Sequence, residues 1–209
     1  MRILIACEFS GIVREAFRRR GHDAWSCDLL PTEIPGAHYQ GDVLKILCGN
    51  WDMMIAHPPC TYLSYAANRY WNQVGREAKR GEAMRFFMAL VNANIPRICI
   101  ENPLGLPGKE YRKPDQIIHP YYFGEGHLKR TCLWLKNLPP LFYIERDSLF
   151  GESFGDRAMI PKPEPIYIDK TPRRKKRYYV DANHGGHIRS KSFPGIAEAM
   201  AAQWSWEMK

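Results

Sequence analysis

The sequence predicts an α/β domain in which helices cover both faces of a mostly parallel β-sheet. Its first hundred residues alternate short, continuous apolar runs with segments of helical periodicity, separated by glycine, proline or polar turn residues. Such alternation is typical of parallel sheets, because parallel strands must be joined by a crossover, usually a helix. A chain of 209 residues is long enough for one such domain and too short for two.

The run RILIAC at 2–7 predicts the first strand, because it is short, continuous and apolar. A helix is predicted to follow from 11 to 20, with Ser10 as a candidate N-cap and Gly21 at its end. A second helix, from 76 to 92, carries an apolar stripe at helical spacing. The other predicted elements of this part are a strand at 24–27 that stops at Asp28, a short element at 43–47, a strand at 51–56 and a strand that ends at Glu101.

Beyond Asn102 the chain changes character. Residues 103–125 are rich in proline, glycine and tyrosine and predict irregular structure. The run TCLWL at 131–135 predicts one more strand, and a final helix is predicted from 194 to 207. The resulting division is a catalytic domain of residues 1–140 and 185–209, interrupted by a short, irregular, basic insertion at 141–184.

Composition and charge narrow the classes of function. The formal net charge is +8, which favours a polyanionic partner such as nucleic acid. The six cysteines include no Cys-x-x-Cys pair, so no metal site is predicted. No apolar stretch reaches the length of a membrane span, and no signal peptide precedes the first strand. We therefore expect a cytoplasmic protein without a membrane partner.

The most informative residues follow two of the predicted strands. Pro58-Pro59-Cys60-Thr61 comes after the run at 53–56, and Glu101-Asn102-Pro103 comes after the run at 97–100. If these runs are neighbouring parallel strands, Cys60 and Glu101 emerge at the carboxyl edge of the sheet, where open α/β sheets bind their ligands. A thiol beside a carboxyl group predicts covalent attack on an electron-poor ring, with the carboxyl group managing a ring proton.

In this order and at these strand ends, the segments resemble the DNA cytosine-C5 methyltransferase family over nearly the whole chain. Pro59-Cys60 matches its nucleophile motif, and Glu101-Asn102 matches its Glu-Asn motif. The resemblance implies a Rossmann-like class I S-adenosylmethionine-dependent methyltransferase fold and a DNA substrate. It further implies that Cys60 attacks C6 of a cytosine flipped out of the duplex while Glu101 protonates or hydrogen-bonds N3.

The same resemblance implies a site for S-adenosylmethionine. The turn Phe9-Ser10-Gly11 matches the Phe-x-Gly turn that holds the donor, with Phe9 on the adenine. Asp28 matches the carboxylate that binds the ribose hydroxyls, and Asp42 matches the acidic residue near the adenine amino group. The run SKSFP at 190–194 matches the closing motif and its helix. Together the resemblance assigns to the donor Phe9, Ser10, Gly11, Asp28, Asp42, Pro58, Lys191 and Ser192.

Contacts to nucleic acid are implied at three places. Ser64 matches a serine near the nucleophile, and the run HLKRT at 127–131 replaces the family's Gln-x-Arg-x-Arg segment. Lys129 takes the first arginine position and is preferred to Arg130, which in a strand would point to the opposite face. The family's large target-recognition domain is missing, and a cationic run stands in its place. This run is predicted to bind backbone phosphates with modest sequence preference through Lys170, Arg173, Arg174, Lys175, Lys176 and Arg177.

Two departures from the family pattern concern the donor. Val13 and Arg14 stand where further glycines often occur, which predicts a differently shaped pocket. Lys191 stands where the family has asparagine, near the donor's sulfonium, where a second positive charge is unfavourable. A carboxylate on the transferred methyl group, as in carboxy-S-adenosylmethionine, would relieve the repulsion. The product would then be 5-carboxymethylcytosine in place of 5-methylcytosine.

Several alternatives stay open at this point. The same cysteine and glutamate serve RNA cytosine-C5 methylation in some relatives, and a catalytically inactive DNA-binding relative is a further alternative. Methylation of an exocyclic amine is disfavoured, because His57-Pro58-Pro59-Cys60 lacks the acidic or amide start and the aromatic end of that motif. The compact size resembles phage-encoded members. Target sequence and oligomeric state are left open, and a monomer is compatible with the sequence.

Overall fold

The structure, a computed structural model, describes residues 1–65, 72–143, 161–164, 167–168, 176–177 and 190–205. The described part of the chain is built around one seven-stranded sheet with helices packed against it. The strands are β1 (Arg2–Ala6), β2 (Asp23–Asp28), β3 (His38–Gln40), β4 (Met53–Ala56), β5 (Arg97–Asn102), β6 (Gln116–Ile118) and β7 (Thr131–Lys136). The helices are α1 (Ile12–Arg18), α2 (Arg76–Val91), α3 (Pro107–Glu110) and α4 (Pro194–Trp204), with 3-10 turns at Val43–Lys45 and Pro120–Phe123.

The strand order of the sheet is β3-β2-β1-β4-β5-β7-β6. The pairs among β3, β2, β1, β4 and β5 are parallel, whereas β7 runs antiparallel to both of its neighbours. This order, with one antiparallel strand inserted between β5 and β6, is that of the class I S-adenosylmethionine-dependent methyltransferase fold. The predicted fold class is therefore confirmed.

Apolar side chains of the central strands alternate between two clusters, one on each face of the sheet. In β1, Ile3 and Ile5 enter the cluster formed with α1 and α4, whereas Leu4 and Ala6 enter the cluster that contains Phe87 of α2. These four residues of β1 are fully buried, as a strand covered on both faces requires. Burial of this surface, at about 25 cal/mol per Å² of apolar area, is the main stabilising contribution to the domain.

Residues 103–125 are more regular than predicted. They contain α3, β6 and the turn Pro120–Phe123, so the prediction of irregular structure was wrong for this segment. Strand β6 has only three residues and exists because it pairs with β7, Gln116 lying opposite Leu133. A strand that short carries no readable period of its own. Part of the predicted insertion is also regular, since β8 (Tyr167–Ile168) pairs antiparallel with β9 (Lys176–Arg177).

The start of α1 differs from its prediction. Gly11, in the left-handed conformation with φ 77°, occupies the N-cap position that was predicted for Ser10. The carboxylate of Glu8 accepts a hydrogen bond from the second amide of the helix, with 2.7 Å from Val13 N to Glu8 Oε1. Ser10 supplements it, because its hydroxyl donates to Glu8 Oε1 and accepts from Ile12 N. The N-terminus of α1, which is the positive end of the helix dipole, therefore lies against a buried carboxylate, and the negative charge stabilises the helix.

No helix in the described part of the chain is both long and apolar enough to cross a bilayer.

Candidate active site at the carboxyl edge of the sheet

The two motifs singled out in the sequence lie side by side. Strands β4 and β5 are parallel neighbours, and their last pair is Ala56 with Ile100. The next residues, His57 and Glu101, therefore stand opposite each other at the carboxyl edge, with 3.1 Å between His57 Nδ1 and Glu101 Oε2. One residue further on, Asn102 Nδ2 donates to the carbonyl oxygen of Pro58 at 2.7 Å. This bond ties the segment that leads to Cys60 directly to β5.

Cys60 is exposed at the start of the turn that follows β4. Its carbonyl oxygen accepts from the amides of Leu63 and Ser64, at 3.1 and 2.9 Å. The guanidinium of Arg76, the first residue of α2, donates to Thr61 O at 3.4 Å. The nucleophile predicted from the sequence thus sits at the surface of a turn that is hydrogen-bonded within itself and to α2.

The end of this turn packs against the chain that leaves β5. Ser64 forms an isolated antiparallel bridge with Gly105, and Leu106 N donates to Leu63 O at 2.8 Å. A Cβ atom at Gly105 would lie 1.9 Å from Leu63 O, so only glycine permits this approach. Ser64 itself is 8% exposed. The predicted contact of Ser64 with nucleic acid would therefore involve a side chain that is largely covered.

Glu101 is half-buried, and its carboxyl group lies near His57 and Lys129. Burial alone raises the pKa of its carboxyl group, but the hydrogen bond with His57 and the positive charge of Lys129 outweigh that effect and hold the pKa below its usual value. Asn102 is 1% exposed, and its Oδ1 atom has no hydrogen-bond partner among the described residues.

Lys129 and Arg130 occupy different environments. Lys129 is half-buried, with its ammonium 5.5 Å from the ring centroid of Phe193, and it interacts with Glu101. Arg130 is exposed. The position of Lys129 between Glu101 and the closing segment is compatible with the preference for Lys129 at the base, which stays a prediction.

The turn after β1 carries the residues predicted to hold the donor. Gly11 takes the left-handed conformation, and Phe9 is 6% exposed, so a ligand would meet only a small part of its ring. Glu8 beneath it is 4% exposed, and burial raises the pKa of its carboxyl group, although the charge of His57 and the bonds from α1 oppose the rise. The role of Glu8 at the start of α1 was missed, because a carboxylate that precedes a Phe-x-Gly turn has no distinguishing pattern in the sequence.

Asp28 is the last residue of β2, and Asp42 is the N-cap of the 3-10 turn Val43–Lys45. Each uses Oδ1 in a local turn at 3.0 Å, Asp28 with the amide of Leu30 and Asp42 with that of Leu44. Burial, followed by the negative charges of Asp28, Cys27 and Asp42, raises the pKa of the Cys7 thiol at the end of β1. Both carboxylates therefore lie close enough to the end of that strand to act on it. Their contact with a donor stays a prediction.

Lys191 is paired with an acidic residue of the chain itself. Its Nζ atom lies 2.7 Å from Glu33 Oε2, and Glu33 N donates to Phe9 O at 2.9 Å. Two contacts therefore connect Lys191 to the turn after β1. The adjacent predicted donor residue, Ser192, is half-buried. Glu33 was missed, since an exposed loop glutamate 158 positions away gives no signal of pairing in a single sequence.

Arg14 fills the space that glycines leave open in the family pattern. It is fully buried, and its guanidinium donates to Ser26 Oγ at 2.9 Å, Thr32 Oγ1 at 3.1 Å and Ile34 O at 2.5 Å. Its Nε atom pairs with Glu15 at 2.8 Å. The helix α1, strand β2 and the loop that carries Glu33 are thereby joined through one side chain.

Four residues of the predicted phosphate-binding run, Lys170, Arg173, Arg174 and Lys175, lie outside the described residues. Lys176 and Arg177 form β9, whose backbone pairs with β8. Within the described part of the chain, no three His, Cys, Asp or Glu side chains are grouped as ligands of a metal ion.

No family model matches the sequence, and no curated protein matches it. Among solved structures, one similar chain is a crystal structure from E. coli assigned as a DNA modification methyltransferase encoded within a prophage; it has 15% identity, a TM-score of 0.44 and coverage of 64% of this chain and 45% of that chain. Another is the 16S rRNA methylase RmtB, with 16% identity, a TM-score of 0.29 and coverage of 64% and 54%. The matched region spans about half the length of these chains. The fold assignment above depends on the strand order, not on these similarities.

Proposed function

We propose that this chain is an S-adenosylmethionine-dependent alkyltransferase that modifies C5 of cytosine in DNA through a covalent adduct with Cys60. The supporting observation is the junction of the two motifs. The parallel register of β4 and β5, together with the bond from Asn102 to Pro58, holds the segment before an exposed cysteine against a half-buried glutamate. A nucleophile and an acid at one sheet edge are the groups that this reaction requires.

The chemistry follows from the weakness of C5 as a nucleophile. Glu101 takes up a proton from solvent when the cytosine binds. The thiolate of Cys60 adds to C6, and N3 takes that proton from Glu101, which leaves an enamine whose C5 carries electron density. The donor, when bound beside the turn after β1, would supply the alkyl group on a sulfonium. After transfer to C5, a water molecule removes the C5 proton to solvent, the bond from C6 to sulfur breaks, and Cys60 leaves as thiolate. The N3 proton returns to Glu101 and passes to solvent when the product leaves, so the enzyme ends in its starting state.

DNA is the proposed substrate because charge and access both favour a polyanion with a flipped base. The net charge of +8 supports binding to phosphates, and a base inside a duplex cannot reach Cys60 unless it is flipped out. RNA offers the same ring and the same charge, so it is the alternative substrate. An inactive DNA-binding relative is the remaining alternative.

A second candidate concerns the donor. Lys191 pairs with Glu33, and the backbone amide of Glu33 donates to Phe9 O in the turn after β1. This pair already neutralises the lysine, so plain S-adenosylmethionine is the proposed donor. A donor with a carboxylate on its transferred methyl group would compete with Glu33 for Lys191, and it would transfer a carboxymethyl group. The position of Lys191, whose partner Glu33 donates its backbone amide to Phe9 O, supports this candidate.

Analysis of modified nucleosides tests both parts. The protein is incubated with random-sequence duplex DNA or with tRNA and with either donor, and the digested nucleosides are identified by mass spectrometry. We expect 5-methylcytosine in DNA, none with Cys60→Ser, and a normal yield with Cys48→Ser, which alters another exposed cysteine. Product from Cys60→Ser, modification confined to tRNA, or N4-methylcytosine would each contradict the proposal.

The carboxylated donor has its own test in the same assay. With both donors present, the second candidate expects 5-carboxymethylcytosine from the wild type and only 5-methylcytosine from Lys191→Asn. A wild-type reaction that yields 5-methylcytosine alone would remove that candidate and leave the cytosine-C5 reaction standing.

A further inference from the structure

His57 is the residue of the site that neither the proposed reaction nor the resemblance uses. Its side chain is 10% exposed, and its ring faces Glu101 across the end of the β4–β5 pair, with 3.1 Å between Nδ1 and Oε2. Its backbone amide donates to Ala6 O at 2.9 Å, so the residue is held between β1 and β5. The other ring nitrogen, Nε2, is buried and has no hydrogen-bond partner among the described residues. The bond to Glu101 therefore sets the orientation of the ring.

The charges around this ring define its role. Glu101 approaches it from β5, and Glu8 interacts with it from the turn after β1. Lys129 acts on Glu101 from the segment before β7. An ionised carboxylate accepts hydrogen bonds and donates none, so the shared proton of the bond belongs to Nδ1 of His57. The hydrogen bond with His57 is also the largest influence that lowers the pKa of Glu101 against the effect of burial.

We infer that His57 is a positioning residue that holds Oε2 of Glu101, leaves Oε1 for N3 of the cytosine and stabilises the carboxylate that remains after N3 has taken its proton. This inference rests on the proposed function. The proton moves from Glu101 Oε1 to N3 as the bond between sulfur and C6 forms, and it returns when that bond breaks. His57 keeps its own Nδ1 proton throughout and donates most strongly when Glu101 is charged. His57 therefore acts at the step in which Glu101 becomes negatively charged.

Two substitutions at His57 separate this role from packing. His57→Asn keeps an amide N–H near the position of Nδ1, whereas His57→Leu keeps the volume and removes the donor. On the plateau below the falling limb of the pH profile, where Glu101 is protonated in both proteins, we expect kcat of the leucine variant to fall about ten- to hundredfold, the effect of losing a hydrogen bond to a charged group, with KM for DNA changed little. The asparagine variant should recover most of the loss. His22→Asn is the matched control, because His22 is a partly buried histidine that precedes β2 at the opposite edge of the sheet.

The pH dependence of kcat supplies the decisive readout. Loss of the His57 hydrogen bond removes an influence that lowers the pKa of Glu101. The Glu101 carboxyl group therefore stays protonated to higher pH. The falling limb of kcat should therefore move to higher pH in His57→Leu and stay at the wild-type position in His57→Asn and His22→Asn. A leucine variant with wild-type kcat and profile would overturn the inference. An equal loss at every pH that asparagine does not rescue would reduce His57 to a packing residue and overturn it as well.

A measurement on the wild type keeps the inference testable if His57→Leu does not fold. In protein labelled with ¹³C at glutamate carboxyl carbons, the Glu101 resonance is identified by its absence from Glu101→Gln. We expect its pKa to lie below the usual value of about 4.3. A pKa at or above the usual value contradicts the inference. If Cys60→Ser retains turnover, the proposed function fails; if Cys60→Ser is inactive and these tests fail, only the role of His57 fails.

Discussion

Replacement of Arg14 by methionine probes the link between the fold and the donor turn. Arg14 is fully buried and joins α1 to Ser26 of β2 and to Thr32 and Ile34 of the following loop. Methionine keeps the length and the apolar stem of the side chain but removes every donor. The same loop carries Glu33, which contacts both Lys191 and the turn after β1. Its loosening should therefore weaken donor binding as well as stability.

The magnitude follows from what each acceptor loses. Hydrogen bonds from a charged donor contribute about 1.5–3 kcal/mol each. Two of the three neutral acceptors keep another partner, because Thr32 donates to Ile34 O and Ser26 retains its bond with His38. The losses are thus not additive, and we expect a decrease of about 3 kcal/mol in the free energy of unfolding. In a domain of this size this lowers Tm by about 6–12 °C.

Urea unfolding and calorimetric titration with S-adenosylmethionine measure the two effects. Arg18→Met is the matched control, because Arg18 lies on the same helix, is 43% exposed and makes only a 3.7 Å ion pair with Glu15. Its loss should change stability by at most about 0.5 kcal/mol. Equal unfolding free energies for the Arg14 and Arg18 variants, or unchanged donor affinity in a destabilised Arg14 variant, would refute this reasoning.

Three further predictions concern the sheet edge. Asn102→Ala removes the bond that holds the segment before the nucleophile, so kcat should fall at least tenfold and the free energy of unfolding by about 1–3 kcal/mol, as measured by turnover and urea unfolding. Gly105→Ala should destabilise by about 3 kcal/mol because its methyl group would lie 1.9 Å from Leu63 O, whereas Gly108→Ala, with nothing within 4 Å of the new atom, should not. The pKa of Glu101 is lowered on folding, so its stabilising contribution is present above its unfolded pKa of about 4.3 and is lost as pH falls through the folded value. The stability difference between wild type and Glu101→Gln should therefore shrink in urea titrations from about pH 6 to about pH 3.

Much of the fold could be predicted because the central strands are long enough to carry their own pattern. The runs at β1, β4, β5 and β7 are continuous and apolar, and each is buried on both faces. Strand β6 escaped because three residues contain no period, and its existence depends on pairing with β7. The N-cap of α1 was misassigned because Glu8 reaches the helix from outside its sequence, over a turn made by Gly11.

The candidate site, like the fold, could be predicted only in part from the sequence. The juxtaposition of Cys60 and Glu101 segments was expected from strand ends alone, since parallel neighbours bring their carboxyl ends together. The pairing of His57 with Glu101 was missed, although a one-residue extension of the β4–β5 register would have indicated it. The Lys191–Glu33 pair and the buried Arg14 had no comparable signal, because a buried or paired charge depends on partners far away in the sequence.

The most direct test of the covalent reaction is a trap with DNA that contains 5-fluorocytosine. Fluorine at C5 cannot leave as a proton does, so an enzyme that attacks C6 and completes alkyl transfer remains bound through sulfur. We expect a stable adduct that forms only when S-adenosylmethionine is present and that peptide mass spectrometry locates at Cys60. An adduct at another cysteine, or free DNA from a preparation that methylates ordinary cytosine, would contradict attack by Cys60.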